Sequence, residues 1–179
     1  MAICYLSGFS QQTDTFTDPR DGKTYKTVKI GNQVWMAENL AYKVDNGCWA
    51  YEESLDNVSK YGYLYDWETA QNVCPAGWKL PFKAEFETLL NNYGGSTNLD
   101  ANYNALIATG QSGFSALFGG VRVYNNRYYN IGGDANFWSS TPDDVTIAFL
   151  LVVSNTYKAA LIYSNKVRCG FSVRCLQDN

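Results

Sequence analysis

Histidine is absent from all 179 residues. Its absence removes Ser-His-Asp and Cys-His catalysis, together with the commonest zinc and copper ligand. The five cysteines (Cys4, Cys48, Cys74, Cys169, Cys175) contain no Cys-x-x-Cys pair, so a zinc-site pattern is missing as well. Long apolar runs are also lacking. The longest candidates are strand-like, such as Ile147 to Val153, far short of the roughly 18 residues a membrane helix needs. Net charge is only −3 and the Lys and Arg residues are scattered, so nothing here would hold a phosphate backbone, and a nucleic-acid partner is not expected. The first fifteen residues lack the charged start and apolar stretch of a complete signal peptide. Residues 1–17 read as a leader remnant or flexible segment, and 18–179 as one domain.

What is present is a large aromatic complement: 14 Tyr, 9 Phe and 5 Trp in a chain that is 46% hydrophobic. Such a composition folds rather than staying disordered, and a chain of this length hides roughly 70% of its unfolded surface. Without histidine, the cysteines fit one or two disulfides and an oxidising compartment. Free buried thiols in a cytosolic protein are the alternative. No catalytic residue, metal or cofactor is implied.

Along the chain, Lys23 to Ile30 and Gln33 to Glu38 flank Gly31-Asn32, a hairpin signal. Ala41 to Ser59 reads as loop, and Leu64 to Val73 as a short helix ended by Cys74-Pro75. The clearest helix spans Pro81 to Tyr93, with Phe82, Phe86, Leu89 and Tyr93 at helical spacing and Gly94-Gly95 stopping it. A weaker pattern covers Leu99 to Ala108. Beyond Gly110 the signals are β: a hairpin about Asn125-Asn126, then strands at Ile147 to Val153, Tyr157 to Tyr163 and Phe171 to Leu176. Two helices and a β-rich second half predict an α+β domain.

Five ordered motifs carry a resemblance: Asp21-Gly22-Lys23-Thr24-Tyr25, Val34-Trp35-Met36-Ala37-Glu38-Asn39-Leu40, Cys74-Pro75-Ala76-Gly77-Trp78-Lys79-Leu80-Pro81, Trp138-Ser139-Ser140-Thr141 and Gly170-Phe171-Ser172-Val173-Arg174-Cys175. On these the chain resembles the Fibrobacter succinogenes major paralogous domain. That family looks related to C-type-lectin-like folds and to formylglycine-generating enzymes. The resemblance implies a C-type-lectin-like domain of a secreted or surface bacterial protein, often lipid-anchored, and it implies fold more firmly than function. It also implies a Cys74–Cys175 disulfide, because a lectin-like fold brings a post-helix segment against its final strand. Some such lectin-like proteins are variable proteins of diversity-generating retroelements, bacterial or phage-encoded. The stretch between the Trp138 and Gly170 motifs lies where a variable segment would fall, although an ordinary fixed member fits as well.

The expected ligand surface lies near 142–168. It comprises Asp143, Asp144, Val145, Thr146 and Ile147, with Phe149, Leu150, Val152, Tyr157, Tyr163, Asn165 and Arg168 as outward or loop-edge residues. Tyrosine offers wide contact at small entropic cost. Alternating apolar residues in strands also fit a sheet packed on both faces, and that reading stays open for Leu150 and Val152. The expected partner is a protein or glycan on another cell. A structural assembly protein is one alternative. A copper oxidase of the formylglycine-generating type, using Cys169 and Cys175, is another, although the sequence around them departs from that family's catalytic segment. Calcium-dependent sugar binding lacks its ligand pattern, since Thr141-Pro142-Asp143 stands where a Glu-Pro-Asn loop would be needed.

Overall fold

The computed structural model describes residues 11–178. Cys4 and most of the expected leader lie outside the described residues. Thr13–Thr17 is not a flexible lead-in, however: it forms strand β1, paired antiparallel with β2 (Thr24–Ile30) from Thr13 opposite Val28 to Thr17 opposite Thr24. The ladder hydrogen bonds and the packing of Phe16 on Trp78, ring centroids 5.1 Å apart, draw this segment into the domain. The expected hairpin follows, with β2 returning through Gly31-Asn32 into β3 (Gln33–Met36).

The chain then passes through β4 (Cys48–Trp49), a 3-10 turn, α1 (Leu55–Tyr61), β5 (Leu64–Tyr65) and α2 (Trp67–Ala70). This differs from the expected loop and single Leu64 to Val73 helix. α1 buries none of its residues, so it carries no apolar periodicity to read. It stops at Gly62, where φ is +73° and a Cβ would sit 2.5 Å from the Leu40 carbonyl oxygen, so only glycine fits. Leu64 and Tyr65 are strand because tertiary pairing to β4 overrides local propensity. Asp66 caps α2 by accepting from the Thr69 amide at 2.9 Å.

After β6 (Trp78–Lys79), α3 runs Lys83–Asn91, two residues later than the Pro81 start expected. Two side chains close its amino end: Glu85 accepts from the Phe82 amide at 2.7 Å, and Thr141 accepts from the Lys83 amide at 3.0 Å. α4 (Leu99–Leu106) follows, and with α1 and α2 it raises the helix count among the described residues to four. The rest is strand: β7 (Gly119–Arg122), β8 (Tyr128–Ile131), β9 (Asp134–Asp144), β10 (Ile147–Ser154), β11 (Ala159–Lys166), β12 (Phe171–Ser172) and β13 (Leu176–Gln177). β7 and β8 pair across the Asn125-Asn126 turn, where Asn126 takes φ +67°.

The architecture is mixed α+β. One sheet has the order β1-β2-β3-β13-β6, another β11-β10-β9-β12-β5-β4, and β7-β8 form a separate ribbon. The last residues knit the two large sheets together, since β12 enters one and β13 the other. Cys74 and Cys175 are disulfide-bonded, as the resemblance implied.

β9 and β10 separate two apolar clusters. Trp138, Ala148 and Leu150 face Tyr65, Phe171 and Val173, whereas Phe137, Leu151 and Val153 face Trp35, Phe86 and Phe114. Burial on both faces explains why Ile147 to Val153 is almost continuously apolar.

Between the clusters lies Arg174, fully buried and paired with no carboxylate among the described residues. Its guanidinium donates to the carbonyls of Met36 (3.2 Å), Ser115 (3.3 Å) and Phe114, and to Asn39 Oδ1 (2.6 Å). It also lies over the Phe114 and Phe137 rings, at 4.6 and 5.1 Å. Burial pushes its pKa down to about 9, which leaves it charged at neutral pH. Asn39 in turn donates to the Tyr61 carbonyl and to Ser172 Oγ, so residues of two sequence motifs form one buried polar network.

Candidate functional site

β9 and β10 turn through Val145 and Thr146, and the turn closes on itself. Asp144 Oδ1 accepts from the Thr146 amide at 2.6 Å and from the Thr146 hydroxyl at 3.1 Å. The Thr146 carbonyl accepts from the Val167 amide at 3.0 Å, tying the tip to the chain leaving β11. Register places Ile147 opposite Lys166, Ala148 opposite Asn165 and Leu150 opposite Tyr163. The tip and the distal end of β11 therefore form one continuous region.

Several expected ligand residues converge here. Asp143, Asp144, Thr146 and Arg168 are exposed, Val145 is 95% exposed and Tyr163 59%, while Ile147 and Asn165 are half-buried beside them. Others do not join. Leu150 is 1% exposed against Trp138 and Phe171, so it belongs to the core and not to an outward surface. Val152 is half-buried against the same cluster. Phe149 points to the opposite face, where the Lys83 ammonium lies 4.1 Å from its ring centroid. Tyr157 is exposed but belongs to the β10–β11 turn. It lies about 23 Å from the tip, the length of β10 at about 3.3 Å per residue.

Beside this region opens a cleft of about 670 Å3 that sequence reasoning missed, although it includes Arg168. Its walls are Trp49, Trp67 and Tyr124, and its polar side chains include Asp66, Gln71, Arg122 and Asn126. The Trp49 ring packs against the paired Arg122 and Gly170: the Arg122 guanidinium lies 3.9 Å from its centroid, and a Cβ on Gly170 would come within 3.2 Å of the indole. Trp67 is fixed by its indole N–H, which donates to the Ser139 carbonyl at 2.8 Å, and by its amide, which donates to the Val167 carbonyl. The only sequence signal for this cleft was the placement of large aromatics in segments without periodicity. No pattern joined residues so far apart in the chain.

Cys175 is bonded to Cys74, so it is not a thiolate beside Cys169, and the dithiolate copper site does not form in this structure. Cys48 and Cys169 are free thiols, and burial pushes both pKa values up. Among the described residues no helix is long and apolar enough to cross a membrane.

Residues 28–177 match the Fibrobacter succinogenes major domain. The chain belongs to this family. No curated protein and no solved structure matches it. As a Fibrobacter succinogenes major domain it keeps most of its motif residues inside the frame: Trp35, Asn39, Trp78, Trp138, Ser139, Ser172 and Arg174 are all buried. The hairpin tip and most of the cleft lining fall outside those motifs.

Proposed function

We propose that the domain is a ligand-binding module of secreted or surface-displayed bacterial proteins, with C-type-lectin-like architecture. Its recognition surface is the end of the β9-β10-β11 sheet, and its partner is a protein or glycan on another cell. One observation carries the reading. Side chains of varied chemistry stand in water together, Asp143 and Asp144 at the end of β9, Val145 in the turn, Tyr163 on β11 and Arg168 just after it, while the buried residues of β9 and β10 pack into two cores. A recognition surface needs that arrangement, because ordering loose side chains on binding costs affinity. The disulfide supports export to an oxidising compartment. Native precursors with a lipid anchor, and family members diversified by a retroelement, bacterial or phage-encoded, are compatible with the same surface.

The test is flow cytometry of the labelled domain on a panel of bacterial and epithelial cells. A variant carrying Asp143→Lys, Val145→Asp and Tyr163→Ala should lose about tenfold in binding to whichever cells bind the parent. It should keep its thermal unfolding midpoint. Equal binding by parent and variant, or no binding above a control protein on any cell type, defeats the reading.

A further inference from the structure

We infer that the Trp49-Trp67-Tyr124 cleft is a subsite for a neutral saccharide. This deepens the binding-module reading and rests on it.

The aromatic walls are preorganised. Trp49 packs on the Arg122 guanidinium and the edge of the Gly170 backbone, and Trp67 is tethered at both its indole and its amide. Neither ring must be ordered on binding, which removes an entropic cost that loose aromatics would carry. Tyr124 is 64% exposed, with the Lys166 ammonium 4.9 Å from its ring centroid, and its remaining surface is open to a ligand. A pyranose presents patches of C–H hydrogens to such rings and hydroxyls at its rim.

The polar groups suit those hydroxyls. Gln71 Nε2 is withdrawn from water and has no hydrogen-bond partner. An unmade N–H is unfavourable in the interior, and because Gln71 lines the cleft, a rotation of its side-chain amide brings that group to a ligand hydroxyl. Arg122 spends one N–H on Asn126 Oδ1 at 2.6 Å, and Asp66 spends one oxygen on the Thr69 amide. Both are thereby held in place with donor or acceptor capacity remaining.

Charge and size narrow the class. The lining carboxylates of Asp66 and Glu68 balance the lining guanidiniums of Arg122 and Arg168, so the cleft favours neither a phosphate nor a cation. Its volume of about 670 Å3 lies within the roughly 300–1,000 Å3 typical of small-ligand sites. An added peptide strand is disfavoured, because β4, the sheet edge bordering the cleft, is two residues long and offers too short a template.

The experiment is a nitrogen-15 NMR titration of the intact domain with cellobiose, maltotriose, xylotriose and diacetylchitobiose, alongside an extended tetrapeptide. At least one saccharide should shift the Gln71 side-chain amide and the Trp49 and Trp67 indole resonances. Tyr124→Ala and Gln71→Ala should each weaken that saccharide about tenfold, with the remaining spectrum intact to show that the fold survives. The hairpin-tip triple variant should bind it as the parent does. No shift at those groups with any of the four sugars, or a peptide shifting them more strongly, overturns the subsite. Loss of the subsite with cell binding retained would leave the module reading standing. Saccharide shifts without any cell binding would do the reverse.

Discussion

The Cys74–Cys175 disulfide closes a loop spanning 101 positions and fastens the segment after α2 to the last buried residues of the chain. Cross-linking restricts the unfolded ensemble, and for a loop of about 100 residues the chain-entropy account gives about 4.7 kcal/mol at 25 °C, within a usual experimental range of about 2–5 kcal/mol. Cys74→Ala with Cys175→Ala removes the bond and leaves little cavity. Alanine avoids burying the unpaired hydroxyl that serine would leave at Cys175, which is fully buried. With a urea slope of about 2 kcal/mol/M, a loss of about 4 kcal/mol moves the unfolding midpoint down by about 2 M. Tryptophan fluorescence reads the transition, and the slope itself should rise because the unfolded chain becomes more extended. A midpoint shift below about 0.5 M with an unchanged slope would refute the reasoning. It would mean that the packing of β12 and β13 holds the terminus without the bond.

Replacing Arg174 by Met should destabilise the domain by at least about 3 kcal/mol in urea titration. It strands the acceptors of Met36, Phe114, Ser115 and Asn39 in the interior, at about 1–3 kcal/mol for each one left unsatisfied. A loss below about 1 kcal/mol would show that these carbonyls find other partners. Burial pushes the Asp18 carboxyl up, but the Arg20 side-chain and backbone hydrogen bonds outweigh it and the net shift is down. Its stabilisation is therefore complete above the unfolded value of about 3.9 and disappears as pH falls through the lower folded value. Asp18→Asn should be less stable than the parent at pH 7, and the two stability curves should converge under strong acid. Parallel curves down to the acid limit would contradict this. Because burial raises both thiol pKa values, Cys48 and Cys169 should be alkylated by iodoacetamide slowly in the folded domain at pH 8 and quickly in urea. Peptide mass spectrometry reads both positions, and equal rates in the two states would contradict their burial.

Where side chains repeat on a buried face, the fold was legible. Phe86 and Leu89 lie in the core and announce α3, Asn126 takes the left-handed conformation that its turn signal required, and β10 occupies the apolar run that its composition marked. Where tertiary pairing or exposure decides the conformation, the sequence was silent. α1 has no buried residue to betray it, β5 was hidden inside a helix-like run, and β1 looked like a lead-in because it is an edge strand of mostly exposed threonines. For the candidate site, the hairpin tip could be read from position between motifs. Leu150 was misplaced because β10 is packed on both faces, so alternation along it does not mark an outside. The cleft draws on four chain segments, around Trp49, Trp67, Tyr124 and Arg168, and only the folded chain joins them.

Val145 and Tyr157 are both highly exposed, at 95% and 82%, but they stand at opposite ends of β10. A photo-reactive amino acid placed at one position or the other, followed by illumination on cells that bind the domain, compares the two ends directly. The account predicts a covalent adduct with the cell-surface partner from position 145 and none from position 157. An adduct from position 157 alone, or equal adducts from both, would contradict a recognition surface at the hairpin end.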